Sequence, residues 1–203
     1  MLNCEAEGNP TPRYQWLQKL PTQEVLIRGQ EKTLVIDNVT YDHQGEFVCK
    51  AINNIKGEER SVQSDPIRVE VSGAPQVMKY AAQHELRIQN GEDASLDVMF
   101  CADPLPKQAW HLGDLGSGSG NNIILAAGTG HGRFVAETVK KASKEDCYIS
   151  SLRITGALPS DSHRYQLKLS NDHGSDDHTI RLIVRGKKNK KQRRSQNICS
   201  NSN

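Results

Sequence analysis

The 203-residue sequence predicts an all-β fold with two domains and a basic C-terminal tail. No stretch places apolar residues at the i, i+3, i+4, i+7 spacing of a helix, whereas short alternating runs recur with Gly, Pro, Asn or Asp between them. The two halves also repeat one arrangement of residues, and the length suits one to two domains. The predicted strands are the runs 24–28, 33–37, 46–51, 67–71, 86–88, 96–100, 147–154, 165–169 and 179–184.

Composition excludes several classes of protein. Lys and Arg number 26 and Asp and Glu number 24, so the net charge of +2 points to no nucleic-acid partner. The longest wholly apolar run, residues 123–127, is far shorter than the roughly 18–20 residues of a membrane-spanning helix. No secretory signal precedes the first predicted strand, because Met1 is followed by neither a basic segment nor an apolar one.

The positive charge is concentrated at the C-terminus. Subtracting the six tail cations from the total of +2 leaves −4 on residues 1–186. The polar tail 186–203 is predicted to be disordered. It admits three interpretations: solvated charge, a patch for heparan-type glycans or anionic lipid, or a nuclear signal, which oxidised cysteines upstream would contradict. The tail cations are Lys187, Lys188, Lys190, Lys191, Arg193 and Arg194.

The first half carries a spaced set of cysteine and aromatic residues. Trp16 lies twelve residues after Cys4, and Phe47 lies two residues before Cys49. This pattern over residues 2–71 resembles the immunoglobulin superfamily, in particular its intermediate-type domains. The resemblance implies a two-sheet sandwich in which Trp16 packs on a Cys4–Cys49 disulfide.

Two departures from the family pattern stand out in this half. Phe47 occupies the place of the family's tyrosine, so the hydroxyl that would bond to the corner between strands E and F is absent. Cys4 is almost the first residue, so strand A and the start of strand B are expected to be missing. We therefore expect a first domain, residues 1–72, that is truncated at its N-terminus.

The second domain, residues 75–185, repeats the arrangement with apolar residues in place of cysteines. Counting back from Trp110 by the cysteine-to-tryptophan distance of the first half reaches Val98. Aligning Tyr165 with the aromatic residue of the first half places Leu167 at the position of the second cysteine. A buried Val98–Leu167 pair is thus predicted to replace the disulfide between the sheets.

Two further cysteines lie elsewhere in this domain. Cys101 ends the predicted strand B and Cys147 begins strand E, and these strands are antiparallel neighbours in the family. A Cys101–Cys147 bridge is predicted, worth roughly 4 kcal/mol in the chain-entropy model. The alternative is two unpaired, buried thiols. Cys199 in the tail is left without a partner.

The second domain also carries about 24 extra residues between strands C and E, including the glycine-rich stretches 113–120 and 128–132. Such composition predicts flexible loops. The segment Gly130–Arg133 lacks the Gly-Lys-Ser/Thr ending and helix of a phosphate-binding loop, so a solvated loop is the favoured interpretation.

No enzymatic, metal or cofactor site is predicted, and no small-molecule substrate. His173, Asp176, Asp177 and His178 cluster near a predicted hairpin without the spacing of a metal site. The consecutive residues 161–163, Asp-Ser-His, cannot converge as a triad, and Asp161 is expected to be structural. Asn38 begins an Asn-Val-Thr sequon and is predicted to be glycosylated if the chain is secreted.

The resemblance implies a function in adhesion or recognition. It is strongest to invertebrate cell-adhesion molecules of the nephrin, echinoid and neuromusculin kind, whose tandem domains bind other cell-surface proteins, homophilically or heterophilically. We therefore expect an extracellular fragment of a larger transmembrane ectodomain. The alternatives are an intracellular structural protein of the muscle type and a secreted protein that binds matrix polyanions through its tail.

Overall fold

The computed structural model describes residues 1–20, 23–113 and 123–186. Their Cα positions form two compact units. The first contains Met1–Gly73 with the short segments Ala102–Pro104 and Ser143–Asp146, and the second contains the other described residues. The domain ranges 1–72, 75–185 and 186–203 remain predictions from the sequence.

The first sandwich has two sheets of unequal size. The larger has the strand order β3-β2-β5-β6, with β7 also paired to β5, and the smaller contains β1 and β4. The strands are β1 Leu2–Asn3, β2 Arg13–Lys19, β3 Val25–Gly29, β4 Thr33–Leu34, β5 Gly45–Ile55, β6 Glu58–Gln63 and β7 Ile67–Val69.

The core of the first sandwich lies around Trp16. Trp16 on β2 faces Cys49 on β5 directly in the strand register, so the ring and the disulfide share the inner face of the larger sheet. The indole Nε1 has no hydrogen-bond partner among the described residues, because the core around it is hydrocarbon and disulfide. The buried cluster consists of Cys4, Trp16, Leu34, Phe47 and Cys49.

The Cys4–Cys49 disulfide predicted in the first half is confirmed and joins the two sheets. Its Cα atoms are 6.1 Å apart, with Cys49 on the larger sheet and Cys4 directly after β1. Since β1 and β4 pair over only two residues, the smaller sheet has little pairing of its own. The covalent bridge therefore holds this short sheet against the larger one.

Gln18 and Arg28 stabilise the corner that Phe47 leaves without a hydroxyl. The buried Gln18 amide donates to the carbonyls of Asp42 at 3.1 Å and Gln44 at 2.9 Å. Arg28 donates to the Gln18 Oε1 at 2.6 Å and to the Asp42 carbonyl at 2.9 Å. Each such bond contributes about 0.5–1.5 kcal/mol. Gln18 and Arg28 therefore stabilise the corner in place of the tyrosine hydroxyl of the family pattern.

The second sandwich has two sheets of similar size. One has the order β13-β14-β16-β10-β8, with β15 also paired to β16, and the other has the order β12-β11-β17-β18-β9. The strands are β8 Gly73–Val77, β9 Glu85–Gln89, β10 Ala94–Asp103, β11 Lys107–Leu112, β12 Ile123–Ala126, β13 Gly130–His131, β14 Phe134–Ala136, β15 Lys140–Lys141, β16 Cys147–Ile154, β17 Arg164–Asn171 and β18 Gly174–Arg185.

The core of the second sandwich repeats the first with hydrocarbon in place of sulfur. Trp110 on β11 faces Leu167 on β17, the same register that joins the tryptophan and cysteine of the first sandwich. Val98 and Leu167 have no exposed surface. The Trp110 indole Nε1 donates to the Ser150 hydroxyl at 3.0 Å, so this tryptophan has the polar partner that Trp16 lacks.

The Cys101–Cys147 bridge is also confirmed, and it lies within one sheet. The two cysteines are directly opposite each other on β10 and β16, with Cα atoms 3.9 Å apart. Cys101 is an odd number of residues from Val98 and so lies on the other face of β10, yet both cysteines are fully buried. This bridge reinforces a strand pair and does not connect the sheets.

Part of the expected flexible insertion is strand, which corrects the prediction for Gly130–His131. β12 extends the β11 edge, β13 and β14 form a hairpin, and β14 and β15 both pair with β16. Glycine is required at the hairpin turn, where Gly132 has a φ of 58°. Residues 114–122 of the other glycine-rich stretch lie outside the described residues.

We expect loss of the Cys4–Cys49 bridge to cost more stability than loss of Cys101–Cys147. Chain entropy predicts nearly equal costs, because the loops span 45 and 46 residues. The second bridge, however, joins strands that already pair over eight residues. We expect C4A/C49A to lower the free energy of unfolding of its sandwich by about 2–5 kcal/mol, and C101A/C147A by roughly 2 kcal/mol.

Urea unfolding followed by tryptophan fluorescence measures the two losses separately, since each sandwich contains one of the two tryptophans. Trp110→Phe leaves only the first sandwich visible, and Trp16→Phe only the second. The matched variant C4V/C49L copies the Val98–Leu167 pair and should recover part of the loss seen in C4A/C49A. Equal losses at the two bridges would contradict the distinction.

Candidate recognition site

The outward face of the larger first-sandwich sheet carries apolar side chains where a solvent-facing sheet is usually polar. Trp16 points inward, so the next residue, Leu17, points outward. Leu17 lies opposite Ile27 on β3 and opposite Val48 on β5. Alternation along the strands adds two more residues, and we call the set the apolar stripe: Leu17, Val25, Ile27, Val48 and Ile52.

The apolar stripe is open to solvent at its β3 end. Val25 is 52% exposed and Ile27 is 56% exposed, whereas Val48 is buried beneath its neighbours. Exposed charged residues lie on the same face around the stripe, namely Arg13, Lys19 and Glu46. An apolar centre with a charged rim is the composition of a protein-binding patch.

This surface was not among the sites predicted from the sequence. The signal was present in the uninterrupted apolar run Val25-Leu26-Ile27, which departs from the alternation expected of a half-buried strand. The run lies on β3, which forms an edge of its sheet, so both of its faces and its free edge are open.

The equivalent face of the second sandwich is polar at its centre, although Ile124 on β12, directly opposite His111, is 55% exposed. His111 on β11 lies opposite Gln166 on β17, and Gln166 donates to an Asp177 carboxylate oxygen at 2.7 Å. Burial and the nearby Lys168 hold the pKa of His111 below its usual value. His111 Nδ1 and Gln166 Oε1 have no hydrogen-bond partner among the described residues. The two sandwiches therefore differ at the centre of this face, while each exposes an isoleucine on its edge strand.

Arg133 follows the glycine-rich turn and is tied to Asp161. Its Nη1 and Nη2 donate to the two Asp161 carboxylate oxygens at 2.8 and 2.9 Å, and Nη1 also donates to the Gly156 carbonyl at 2.9 Å. The segment is thus a structural hairpin that presents its cation to an internal carboxylate. Gly130, His131 and Gly132 are exposed, as expected of a solvated segment, but the segment forms a β-hairpin and not an irregular loop.

The Asp161 carboxylate is held in its charged form. Burial by itself would raise its pKa, but hydrogen bonds from Arg133 and from the Leu158 backbone N–H outweigh burial, so the pKa lies below the usual value. The Tyr165 hydroxyl donates to the Asp161 carbonyl at 2.9 Å, which gives the second sandwich the corner bond that Phe47 cannot make. Burial, followed by the charge of Asp161, raises the pKa of Tyr165.

The polar cluster near the β17–β18 hairpin is used within the fold. Asp176 accepts a hydrogen bond from the Val77 backbone N–H at 2.7 Å, and His178 contacts the Gln83 carbonyl through Nε2 at 2.8 Å. His173 is exposed at the turn. In the part of the chain that the structure describes, no group of three His, Cys, Asp or Glu side chains is arranged to hold a metal ion.

The structure describes the predicted glycosylation site, Asn38, but not the predicted polyanion-binding tail. Asn38 is exposed and has a φ of 53°, so its side chain is accessible, and its glycosylation remains a prediction. The tail cations between Lys187 and Arg194, like Cys199, lie outside the described residues. None of the helices in residues 1–20, 23–113 and 123–186 has the length and apolar character needed to span a membrane.

We expect Asp161→Asn to destabilise the second sandwich by about 1.5–3 kcal/mol at pH 7, because the charged partner of Arg133 is lost from a buried position. The folded-state pKa of Asp161 is lowered, so its contribution is present above the unfolded value of about 3.9 and disappears as the pH falls through the lower folded value. The difference between wild type and variant should therefore shrink in acid.

Urea unfolding of the second sandwich, measured from pH 7 to pH 2 in a Trp16→Phe background, tests this expectation. Asp172→Asn, at an exposed turn position, is the matched control and should change little at any pH. A deficit in Asp161→Asn that stays constant down to pH 2 would be inconsistent with an ionised Asp161.

Two known proteins share just over a quarter of their aligned residues with this chain. Neural cell adhesion molecule L1 of Mus musculus is 28% identical over 177 residues, which cover 86% of this chain and 12% of that protein. Kin of IRRE-like protein 3 of Homo sapiens is 28% identical over 189 residues, which cover 92% of this chain and 21% of that protein. The chain thus spans about an eighth to a fifth of the length of these relatives.

Solved structures and family models agree on the fold. The crystal structure of Dpr2 Ig1–Ig2 in complex with DIP-Theta Ig1–Ig3 matches 91% of this chain and 58% of that chain, with a TM-score of 0.50 and 22% identity. Residues 1–53 match the model of the immunoglobulin domain, and residues 75–184, more than half of the chain, match the immunoglobulin I-set domain. Each sandwich also has a buried tryptophan that faces the equivalent position on the adjacent strand. The chain belongs to the immunoglobulin superfamily as an I-set protein.

Proposed function

We propose that this chain is a cell-surface adhesion or recognition module that binds another cell-surface protein through the apolar stripe. The observation that carries the proposal is the pair of half-exposed aliphatic residues Val25 and Ile27 on a sheet face with a charged rim. The names of the relatives, which include a neural cell adhesion molecule, support the function. In the Dpr2–DIP-Theta complex, chains of this fold bind each other, which is in keeping with a protein partner.

The proposal includes an extracellular location within a larger transmembrane ectodomain. The small share of each relative that this chain matches, 12% and 21%, supports a larger parent protein. The two disulfides support an oxidising compartment and disfavour the intracellular, muscle-type alternative.

We expect Ile27→Asp to weaken partner binding at least tenfold, because a charge at the centre of the interface must be desolvated on binding. The measurement uses the tetramerised 203-residue chain applied to cells that each display one cell-surface immunoglobulin protein, including this chain itself. Val35→Asp is the matched control: Val35 is 58% exposed but follows β4 of the other sheet, so binding should not change.

Two outcomes would contradict the proposal in different ways. Binding that withstands both Ile27→Asp and Val25→Asp would exclude the apolar stripe as the site. Failure to bind any displayed protein, at concentrations where the wild-type chain is folded, would argue against the function itself.

A second proposal concerns the tail, whose six cations in eight residues support binding of heparan-type glycans or anionic lipid. We expect the chain to be retained on heparin in a salt-dependent manner and the retention to disappear when residues 187–194 are deleted, because residues 1–186 carry a net charge of −4. Retention that is unchanged by the deletion would refute this proposal.

A further inference from the structure

The sequence around β3 is complementary to its own reverse about Leu26. Val25 and Ile27 flank Leu26, with Glu24 before them and Arg28 after them. When two copies run antiparallel with Leu26 at the centre, Val25 of one copy lies opposite Ile27 of the other. The same register places Glu24 opposite Arg28 at both ends. We call these five residues, 24–28, the pairing segment.

The backbone groups on the free side of β3 fit this register. On its other side β3 pairs with β2, and the Leu20 N–H donates to the Glu24 carbonyl at 2.9 Å. Because the direction of these groups alternates along a strand, Glu24 and Leu26 point theirs to β2, and Val25 and Ile27 point theirs away. No strand of the described chain pairs with that side. In an antiparallel pair centred on Leu26, these free groups form four hydrogen bonds with those of the second copy.

Only one of the registers that these backbone groups permit also matches the side chains. The free groups meet when the pair is centred on Val25, Leu26 or Ile27. Centring on Val25 places Leu26 opposite Glu24, and centring on Ile27 places Leu26 opposite Arg28. Both of these registers set a charge against an aliphatic side chain. The register centred on Leu26 sets aliphatic residues against each other and acid against base, which favours pairing.

The two charged residues of the pairing segment lie on one face. Arg28 donates to the Gln18 Oε1 and to the Asp42 carbonyl, which are neutral oxygens and take up two of its five N–H groups. The guanidinium therefore still has donors for a carboxylate. Gln18 lies opposite Leu26, so Leu26 and Arg28 share a face, and alternation places Glu24 on it too. Glu24 is exposed.

The equivalent edge strand of the second sandwich lacks this complementarity. β12, Ile123–Ala126, is also an edge strand, and its Ile124 is exposed. Its flanking residues are uncharged, so no antiparallel register of two copies pairs an acid with a base there. On β3 three consecutive aliphatic residues are exposed, Val25, Leu26 and Ile27, without the Lys or Pro that usually keeps an edge strand from pairing.

We propose that two copies of this chain associate by antiparallel pairing of their β3 strands about a two-fold axis at Leu26. The inference rests on the proposed function, since it identifies the partner at the β3 end of the apolar stripe as a second copy. Pairing joins the two larger sheets into one and brings Val25 and Ile27 of both copies together on the outward face. Each copy uses the same surface, so the assembly closes at two chains. Main-chain hydrogen bonds supply the affinity, and the charged ends select the register.

Sedimentation velocity of the 203-residue chain over a range of concentrations should show a monomer–dimer equilibrium. Glu24→Arg and Arg28→Glu should each weaken it by about tenfold, because either change sets like charges together at both ends of the strand pair. An equimolar mixture of the two variants should recover the dimer, since the new arginine then faces the new glutamate and native Arg28 faces native Glu24. Ile124→Asp, on the edge strand of the other sandwich, is the matched control and should leave the equilibrium unchanged.

Cysteine cross-linking tests the register without changing Arg28, whose bonds also stabilise the corner. At the two-fold axis the two Leu26 Cα atoms are expected about 4.5 Å apart, within disulfide range, so Leu26→Cys should form a covalent dimer on mild oxidation. Val25→Cys is the matched control: its thiol is the more exposed, but its two copies lie diagonally, about 7–8 Å apart, and should cross-link little. Both chains also carry Cys199→Ser, which removes the cysteine outside the two disulfides.

Three results would each overturn the inference: a chain that stays monomeric at its highest soluble concentration, folded charge variants whose mixture associates no better than either alone, or equal cross-linking of Leu26→Cys and Val25→Cys. The cell-binding experiment separates this inference from the proposed function. If the tetramerised chain binds cells that display another immunoglobulin protein but not cells that display this chain, the second copy is excluded as the partner and the proposed function stands.

Discussion

The packing of one tryptophan against the residue that faces it on the adjacent strand organises each sandwich. Trp16 faces Cys49 and Trp110 faces Leu167, and all four side chains are almost completely buried. Because side chains alternate along a strand, fixing one inward residue fixes the face of every other residue on that strand. The outward position of Leu17, and with it the apolar stripe, follows from the inward position of its neighbour.

The two sandwiches secure this arrangement with different chemistry. The first uses a disulfide between its sheets and a buried amide, Gln18, at the corner before β5. The second uses hydrocarbon at both cysteine positions and a tyrosine hydroxyl at its corner, next to the Arg133–Asp161 pair. In both, side-chain donors bond to backbone carbonyls at the corner, because an unpaired buried carbonyl costs more than the bond contributes. Gln44 Oε1 at the first corner has no partner among the described residues. The disulfide within the β10–β16 pair adds to a ladder that is already complete.

The edge strand β3 determines which aliphatic residues of the first sandwich remain uncovered. β3 pairs with β2 on one side only, and Val25 and Ile27 on this strand are 52% and 56% exposed. Exposed aliphatic residues and unpaired edges favour association. The apolar stripe proposed as the protein-binding surface of this chain ends at this strand.

Spacing within the sequence determined the features that depend on alternation and repetition. The all-β class, the two buried tryptophans, the replacement of a disulfide by Val98 and Leu167, and both bridges follow from distances along the chain and from the family resemblance. The Cys101–Cys147 bridge was predictable because antiparallel neighbours bring the end of one strand to the start of the other.

Only the tertiary structure decided the features that depend on residues far apart in sequence. Gln18 bonds to a carbonyl 26 residues away, and Arg133 bonds to a carboxylate 28 residues away. Neither pairing leaves a periodic signal in the sequence. Arg133 was therefore predicted to lie in a solvated loop, whereas the β13–β14 hairpin places it beside Asp161. Exposure of Ile27 likewise depends on which strands lie beside β3. The sequence shows which residues are apolar, but neighbours distant in the chain decide which of them remain uncovered.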